Sequence, residues 1–538
     1  MRATVATATL RAIGAVMLVG GLAMVIVPRP LYTPMNQWVI VPTCIVAVAV
    51  ALLVPVPHGV RAVLASRWAG PVLALVGGGV GAVVGEVMRY PYGWDAGVVM
   101  GIARRLDAGM SLTPGNYRYL SMYPNNLPLL AIDRAAARAA GWLGLSPDAL
   151  LIAGNAVGLT VTIWLAHLVV RRCAGPVAAA LAALLVIVLV GLSPWLAVPY
   201  TDLFAMPFVM AAIALATLAW SLRGGRRWLS WAGAVACGAV AFVVKTTPVV
   251  LVVAAVLVIA LQALPAGRRA EKGRLMRTAA VVALTVLAFM GVAAGATQSS
   301  RHQTGADLSR IDTARSAPLL WWVANGMIEI DAGTYTSYGG YSRSMIEAIR
   351  GRTRPEMTAY SREFIAARWA ERGLTGMLAF YADKALWNWN DGMFGAWGEG
   401  GDSRQRPYAK TAVADVLMEV NGYHGRYYET RASIAEGIWA AVVILAGVGL
   451  LLLAPPRRDV LLLALSTLGI GVFVLVFQGR SRYLLTFAPV VIALSCVVLP
   501  WARSALTRRM LQPGRTPDLP PPSRRGPRDA DIYRTGGY

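Results

Sequence analysis

Long apolar runs, each bounded by polar or charged residues, recur along the chain. Most are about 20 residues long, which is enough for an α-helix to cross the hydrocarbon core of a bilayer. The pattern therefore predicts an all-α polytopic membrane protein with about 12 transmembrane helices. The predicted spans are 11–28, 38–56, 70–89, 148–170, 176–193, 203–221, 228–244, 247–264, 278–296, 435–454, 459–477 and 483–500.

Composition supports this interpretation. The chain has 538 residues, of which 57% are hydrophobic and 14% charged, whereas a soluble protein carries roughly 25% charged residues. The formal net charge of +23 would suggest nucleic acid as a partner of a soluble protein. In a membrane protein, arginines instead collect in cytoplasmic loops. We therefore expect the lipid bilayer, and no nucleic acid, as a partner.

The placement of arginines predicts the orientation. The basic clusters that fall on one side are Arg61 with Arg67, Arg171 with Arg172, Arg223 with Arg226 and Arg227, the segment 268–274, and Arg457 with Arg458. The positive-inside rule makes that side cytoplasmic. We thus expect a multi-pass protein of the cell membrane with both termini in the cytoplasm. No small-residue cleavage site follows the first span, so we expect it to be a retained anchor.

Five regions follow from these spans. Residues 1–69 hold two N-terminal helices, 70–296 a transmembrane core with a first extracytoplasmic loop at 90–147, 297–434 a large extracytoplasmic loop or lid, 435–500 the last helices, and 501–538 a basic, disordered cytoplasmic tail. Within the lid, apolar residues from Met357 to Trp387 have helical spacing. Aromatic residues at Trp387, Trp389, Phe394 and Trp397 suit a membrane–water interface.

Five charged residues stand at predicted span ends on the extracytoplasmic side: Asp95, Asp202, Lys245, Arg480 and Arg482. A charge at such a place is costly unless it is paired or hydrated, which makes it a candidate functional residue. The alternative for each is a snorkelling side chain or a helix-end ion pair. A carboxylate can act as a general base toward a hydroxyl, and arginine or lysine can bind a phosphate. These five residues together suit the transfer of a group from a lipid phosphate to a hydroxyl.

The stretch SMYPNNLPLL adds polar groups to the first loop. Tyr123, Asn125 and Asn126 are candidates for hydrogen bonds to a sugar or an acceptor. The alternative is a turn before an amphipathic helix, with Asn126 as its cap. The four cysteines and four histidines are scattered, so no metal site built from these residues is expected.

Four motifs are similar to segments of the GT-C superfamily of integral-membrane glycosyltransferases, which includes protein O-mannosyltransferases and aminoarabinose transferases. YPYGWDAGVVMGIARRL resembles their acidic motif after a membrane helix, with Asp95 at the acid. VVKTTP resembles a Lys-Gly/Thr-Pro turn, GRSRYLLTFAP a late segment that meets lipid phosphate, and RYLSMYPNNLPLL a Tyr-Pro-Asn/His motif.

The resemblance implies a GT-C-like core and an inverting hexosyl- or pentosyltransferase of cell-envelope assembly. The donor would be a polyprenyl-phosphate sugar such as mannose or arabinofuranose, and the acceptor a glycan, lipid or protein. Asp95 would be the base, while Lys245, Arg480, Arg482 and Tyr483 would bind the donor phosphate. In the same reaction we expect Asp202 to orient the acceptor or the base, or to hold a divalent ion. No cofactor is expected to be required. A divalent cation stays open, although Ala96 stands where some families have a second acid.

Two other functions fit parts of the pattern. About 12 spans are also typical of transporters and lipid flippases, whose charged sites lie near the bilayer midplane. A non-catalytic assembly protein of the envelope would need none of the five charges individually.

Overall fold

The computed structural model describes residues 2–27, 35–264, 272–331, 333, 336–396 and 408–511. The predicted tail beyond residue 511, part of the basic segment 268–274, and Trp397 lie outside these residues.

Helices dominate the described part of the chain. In chain order they are α1 (Arg2–Ile26), α2 (Gln37–Leu53), α3 (His58–Ala65), α4 (Ala69–Val87), α5 (Trp94–Asp107), α6 (Pro114–Met122), α7 (Leu127–Leu143), α8 (Pro147–Ala174), α9 (Pro176–Val186), α10 (Thr201–Ser221), α11 (Gly224–Val244), α12 (Val249–Ala263), α13 (Lys272–Gln303), α14 (Leu319–Asn325), α15 (Arg343–Ala348), α16 (Arg354–Trp389), α17 (Ala412–Asn421), α18 (Tyr428–Leu452), α19 (Arg458–Val476), α20 (Arg482–Leu485) and α21 (Ala488–Leu511). Strands β1 (Glu329–Asp331) and β2 (Thr336–Tyr338) form one antiparallel pair.

Nine of the described helices are long and apolar enough to cross a membrane: α1, α4, α8, α10, α11, α13, α18, α19 and α21. A tenth crossing results if α2 and α3, which meet at a bend of 87°, count as one span. Two shorter apolar helices occupy the predicted spans at 176–193 and 247–264. A largely helical, multi-span architecture is thus confirmed, while the number of twelve crossings stays a prediction.

Small residues let the spanning helices approach closely. A Cβ atom at Gly447 of α18 would lie 2.8 Å from the carbonyl oxygen of Gly14 of α1, and one at Gly14 would lie 2.9 Å from the carbonyl oxygen of Gly447. Likewise, a Cβ at Gly78 of α4 would collide with the hydroxyl of Thr160 of α8. Van der Waals packing across small residues is a main source of helix association in membranes. The N-terminal helix is thereby packed on the C-terminal helices, far from it in sequence.

The long segment between α13 and α18 has a small core of its own. Trp321 of α14 packs with Met345 and Ile349 near α15 and with Met357 of α16. The predicted helix from Met357 to Trp387 is confirmed as the larger part of α16, which bends where Gly373 adopts a φ of 61°. The described part of this segment, called the lid below, therefore has a packed core of its own and is not an extended loop.

The predicted interfacial role of the aromatic residues at the end of α16 is wrong for Trp387 and Phe394 and stays a prediction for the partly exposed Trp389. Trp387 and Phe394 are buried, and Phe394 is fully enclosed. Trp389 stacks on Trp439 of α18 with a centroid distance of 6.0 Å. The rings of Trp387 and Phe394 therefore fill space inside the protein.

The lid and the first long segment meet at one end of the helices. The backbone N–H of Ala317 donates to the carbonyl of Met122 at 3.2 Å, and the N–H of Asp312 donates to Ser121 Oγ at 2.9 Å. The rings of Trp322 and Tyr123 lie 6.2 Å apart. Residues from both segments therefore surround the end of the helices at which Asp95 lies.

Candidate functional site

A strained turn positions Asp95. The chain leaves α4 at Val87 and re-enters a helix at Trp94, whose φ of 41° lies in the left-handed region. Such a conformation costs a non-glycine residue roughly 1–3 kcal/mol and concentrates at functional sites. Asp95 follows in the first turn of α5. A Cβ at Gly97 would lie 2.3 Å from the carbonyl oxygen of Tyr92, so this tight turn requires glycine there.

Two phenols hold the Asp95 carboxylate. Tyr119 Oη donates to Oδ1 at 2.8 Å, and Tyr200 Oη donates to Oδ2 at 3.3 Å. The side chain of Asp95 is only partly buried. A carboxylate has about four lone-pair positions, so two phenols orient it and leave capacity for a further hydroxyl donor.

Burial and the neighbouring Asp95 charge raise the pKa of Tyr119 above its ordinary value. The same two causes, in the same order, raise the pKa of Tyr123. Both phenols therefore keep their protons at any physiological pH. Tyr119 consequently acts as a permanent hydrogen-bond donor to Asp95.

The three residues predicted to bind sugar or acceptor divide into two groups. Asn126 is buried and donates to Tyr119 Oη at 2.6 Å, so it orients the phenol that holds Asp95. It occupies the N-cap position of α7 but makes no side-chain cap bond, and the alternative of Asn126 as a capping side chain is wrong. Asn125 is exposed and Tyr123 partly exposed, which leaves these two available to a ligand.

Asp202 and Lys245 form a buried ion pair at the same end of the helices. Asp202 lies in the first turn of α10, Lys245 is the C-cap of α11, and Lys245 Nζ is 2.7 Å from Asp202 Oδ1. Arg482 Nε approaches Asp202 Oδ2 at 3.7 Å. Asp202 therefore lies between two cations and has 1% of its side chain exposed. Asp202 and Lys245 thus form a helix-end ion pair, which is the alternative that the sequence left open for them.

Aromatic rings surround Arg482. Its guanidinium carbon lies 4.6 Å from the ring centroid of Trp94, 5.1 Å from Tyr200 and 5.6 Å from Tyr483. Rings at these distances attract a cation through their quadrupoles. Tyr200 contacts both Asp95 and Arg482, so one residue joins the carboxylate to the cationic cluster.

Arg480 occupies a more open position. It is partly exposed, and its guanidinium carbon lies 5.9 Å from the ring of the exposed lid residue Tyr341. Among the predicted phosphate-binding residues, Arg480 thus lies beside the lid, and Lys245 is paired with Asp202.

Lys384 of α16 fixes the segment that carries these arginines. Its buried ammonium donates to the carbonyls of Gly326 at 2.5 Å, Leu475 at 2.7 Å and Phe477 at 2.8 Å. The carbonyls at the ends of α14 and α19 would otherwise lack partners, and a cation at a helix C-terminus is also favoured by the helix dipole. Lys384 therefore holds the lid to the residues just before Arg480.

Replacing Lys384 with Met should lower the free energy of unfolding by about 1–3 kcal/mol, because buried carbonyls lose their donor. Denaturant titration in mixed micelles measures this. The matched substitution is Lys410→Met, at an exposed position, which should stay within about 0.5 kcal/mol of the parent protein. Equal effects of the two substitutions would contradict the assigned role of Lys384.

Sequence reasoning missed four residues of this site: Tyr119, Tyr200, Trp94 and Lys384. Tyr119 is four positions before Tyr123 and so shares a helix face with it. Trp94 and Tyr200 each stand within two residues of a predicted acid, a proximity that could have drawn attention to them. Nothing in the sequence around Lys384 indicates its three carbonyl partners.

No group of three or more His, Cys, Asp or Glu side chains converges as a metal site among the residues that the structure describes. The Asp95 carboxylate instead has phenols as neighbours.

A family model described as conserved hypothetical integral membrane protein matches residues 29–503. The chain belongs to this family. The match includes every residue of the site described above, from Trp94 to Tyr483. No curated protein and no solved structure matches the chain.

Proposed function

We propose that this protein is a membrane glycosyltransferase that moves a sugar from a polyprenyl-phosphate donor to a hydroxyl acceptor. The observation that carries this proposal is the partly exposed Asp95 carboxylate, oriented by two phenols and joined through Tyr200 to the Arg482 cluster. A base and a cationic group at one end of membrane helices suit a reaction between a lipid phosphate and a water-borne hydroxyl.

In the proposed reaction, Asp95 accepts the proton of the acceptor hydroxyl. The hydroxyl oxygen forms a bond to the anomeric carbon as the bond from that carbon to the phosphate oxygen breaks. The polyprenyl phosphate leaves with the bonding electron pair, and the configuration inverts because attack comes from the opposite face. Arg480, partly exposed beside Tyr341, would meet the leaving phosphate first, and Arg482 would add positive potential behind it.

The remaining predicted residues take supporting roles in this proposal. Asp202 neutralises Lys245 and positions Arg482, so Asp95 is the single base. Asn125 and Tyr123 would contact sugar or acceptor. We also propose a GT-C-like core of about 12 spans in the cell membrane, with this site on the extracytoplasmic face, as the arginine distribution favours. The reaction would serve assembly of envelope glycan or glycoconjugate.

The test is to incubate the purified protein with a panel of polyprenyl-phosphate sugars and hydroxyl acceptors and to measure release of polyprenyl phosphate. We expect release with at least one donor, increased by the acceptor and producing the inverted anomer. A retained configuration would exclude the single displacement at Asp95. No release with any donor would contradict the transferase proposal.

The buried Asp202–Lys245 pair favours a second candidate, a transporter or lipid flippase, because ion pairs inside membrane helices are typical of coupled transport. A transporter must expose its site to both faces in turn. Cysteine placed at exposed Thr246, next to Lys245, should then react with impermeant reagents from both sides. Labelling from one side only favours the transferase.

A further inference from the structure

A cationic cleft lies at the opposite end of the helices from Asp95. It has a volume of about 180 Å³ and lies between α11, α12 and α13. Three arginines line it, Arg227, Arg274 and Arg277, and three tryptophans, Trp220, Trp228 and Trp231, surround them. Lys245 and Arg227 stand near opposite ends of α11, which has 21 residues and is therefore about 30 Å long. The cleft is thus separate from the candidate site.

The electrostatics of this cleft favour an anion. None of the ten described residues that line it is acidic. Arg227 lies in the first turn of α11, a turn without an acidic side chain, so the positive end of the helix dipole adds to the arginine charges. Arg274 donates to the carbonyl of Gln262 and thereby ties α13 to α12 across the cleft.

Exposed apolar side chains lie beside the cleft. Trp231 also lines a narrow neighbouring cleft with Leu251, Val252 and Phe289, and its indole N–H donates to Thr285 at 3.1 Å. The cleft residue Trp228 is 49% exposed, and Leu284, one helical turn after the cleft residue Val281 on α13, is 63% exposed. Exposed apolar side chains of spanning helices contact acyl chains. The arginines of the cleft therefore lie close to side chains that contact lipid.

We propose that this cleft binds the phosphate headgroup of an anionic membrane phospholipid, whose acyl chains contact the exposed apolar side chains beside the cleft. Arginine suits phosphate because its guanidinium can donate two parallel hydrogen bonds, and tryptophan is enriched at the depth of lipid headgroups. The volume is below the roughly 300–1,000 Å³ of sites that enclose a whole ligand, which fits a headgroup whose tails remain in the bilayer.

The test uses full-length protein in mild detergent micelles, so it does not depend on any enzymatic activity. Phosphatidylglycerol or phosphatidylcholine with the same acyl chains is added stepwise, and the apparent Tm and the lipid retained in native mass spectra are measured. A ligand that binds only the folded state raises Tm in a saturable way. We expect this for phosphatidylglycerol only.

The variant Arg227→Gln/Arg277→Gln should raise the phosphatidylglycerol concentration at half-effect by about tenfold or more. The matched control is Arg67→Gln. Arg67 lies over Trp68 at 5.3 Å much as Arg227 lies over Trp228 at 5.7 Å, but it is outside the cleft. The Arg67→Gln protein should bind phosphatidylglycerol as the parent protein does. Thr278→Trp, which keeps every charge and fills the cleft, should also weaken binding.

Four results would overturn the proposal. Equal stabilisation by phosphatidylcholine would show that the headgroup charge is not recognised. Equal stabilisation by soluble glycerol 3-phosphate would show a site for a free anion and not for a lipid. Unchanged binding in both cleft variants, or equal loss in Arg67→Gln, would show that the lipid binds elsewhere.

Discussion

The Asp95→Asn protein should accumulate in the membrane yet lose sugar transfer by about 10²–10⁴-fold, the range that general base catalysis contributes. Asparagine has nearly the same shape as aspartate and keeps one oxygen as an acceptor for a phenol. It cannot take the proton of an attacking hydroxyl. The measurement is the initial rate of polyprenyl-phosphate release with the best donor of the panel.

Glu86→Gln is the matched control for Asp95→Asn. Glu86 belongs to the same stretch of chain and pairs with Arg89 at 3.0 Å, with half of its side chain exposed. Its loss should leave the rate within about twofold, because an exposed ion pair contributes little. Tyr119→Phe, which removes one donor to Asp95, should give an intermediate rate. Near-normal activity of Asp95→Asn would exclude Asp95 as the base.

The Asp202→Asn protein should lose about 3–5 kcal/mol of stability, the cost of leaving buried charge without its partner. Asp202 compensates both Lys245 and Arg482, so its loss affects two cations. Lys245→Met should cost less, because Asp202 then keeps Arg482. The double variant Asp202→Asn/Lys245→Met should recover part of the loss, since neutral pairs of similar volume avoid the desolvation cost of a buried ion pair. Denaturant titration in mixed micelles gives these free energies of unfolding.

An exposed ion pair serves as the reference for this cycle. Arg343 and Glu347 are 2.9 Å apart with 84% and 48% of their side chains exposed. Glu347→Gln should change stability by only about 0.3–0.5 kcal/mol. If Asp202→Asn were equally mild, or if the double variant were the sum of the two single ones, the two charges would not be coupled.

The positions of the membrane helices were predictable because the cost of exposing backbone and polar groups to lipid acts on each segment separately. The apolar run at 203–221, for example, lies within α10. The course of the run at 38–56 was harder to predict, since the chain bends by 87° between the end of α2 at Leu53 and the start of α3 at His58. A hydropathy pattern contains the length of an apolar run but not the angle at which it breaks.

The sequence predicted that the charged residues lie on the same side of the membrane, but not which of them are in contact. Asp202, Lys245 and Arg482 are in contact, and Tyr200 links them to Asp95. The division of roles among them was not predictable. Whether a cation is free for phosphate or paired with a carboxylate depends on distances of a few ångströms between helices far apart in sequence.

By itself, the sequence determined a helical protein of many spans, with its charges concentrated at helix ends, because bilayer energetics act residue by residue along the chain. Only the tertiary structure decided that Asp202 lies between Lys245 and Arg482, that Asn126 orients Tyr119, and that Lys384 binds three carbonyls. Those outcomes depend on helix packing and on the lid, and packing depends on the shapes of side chains that meet only after folding.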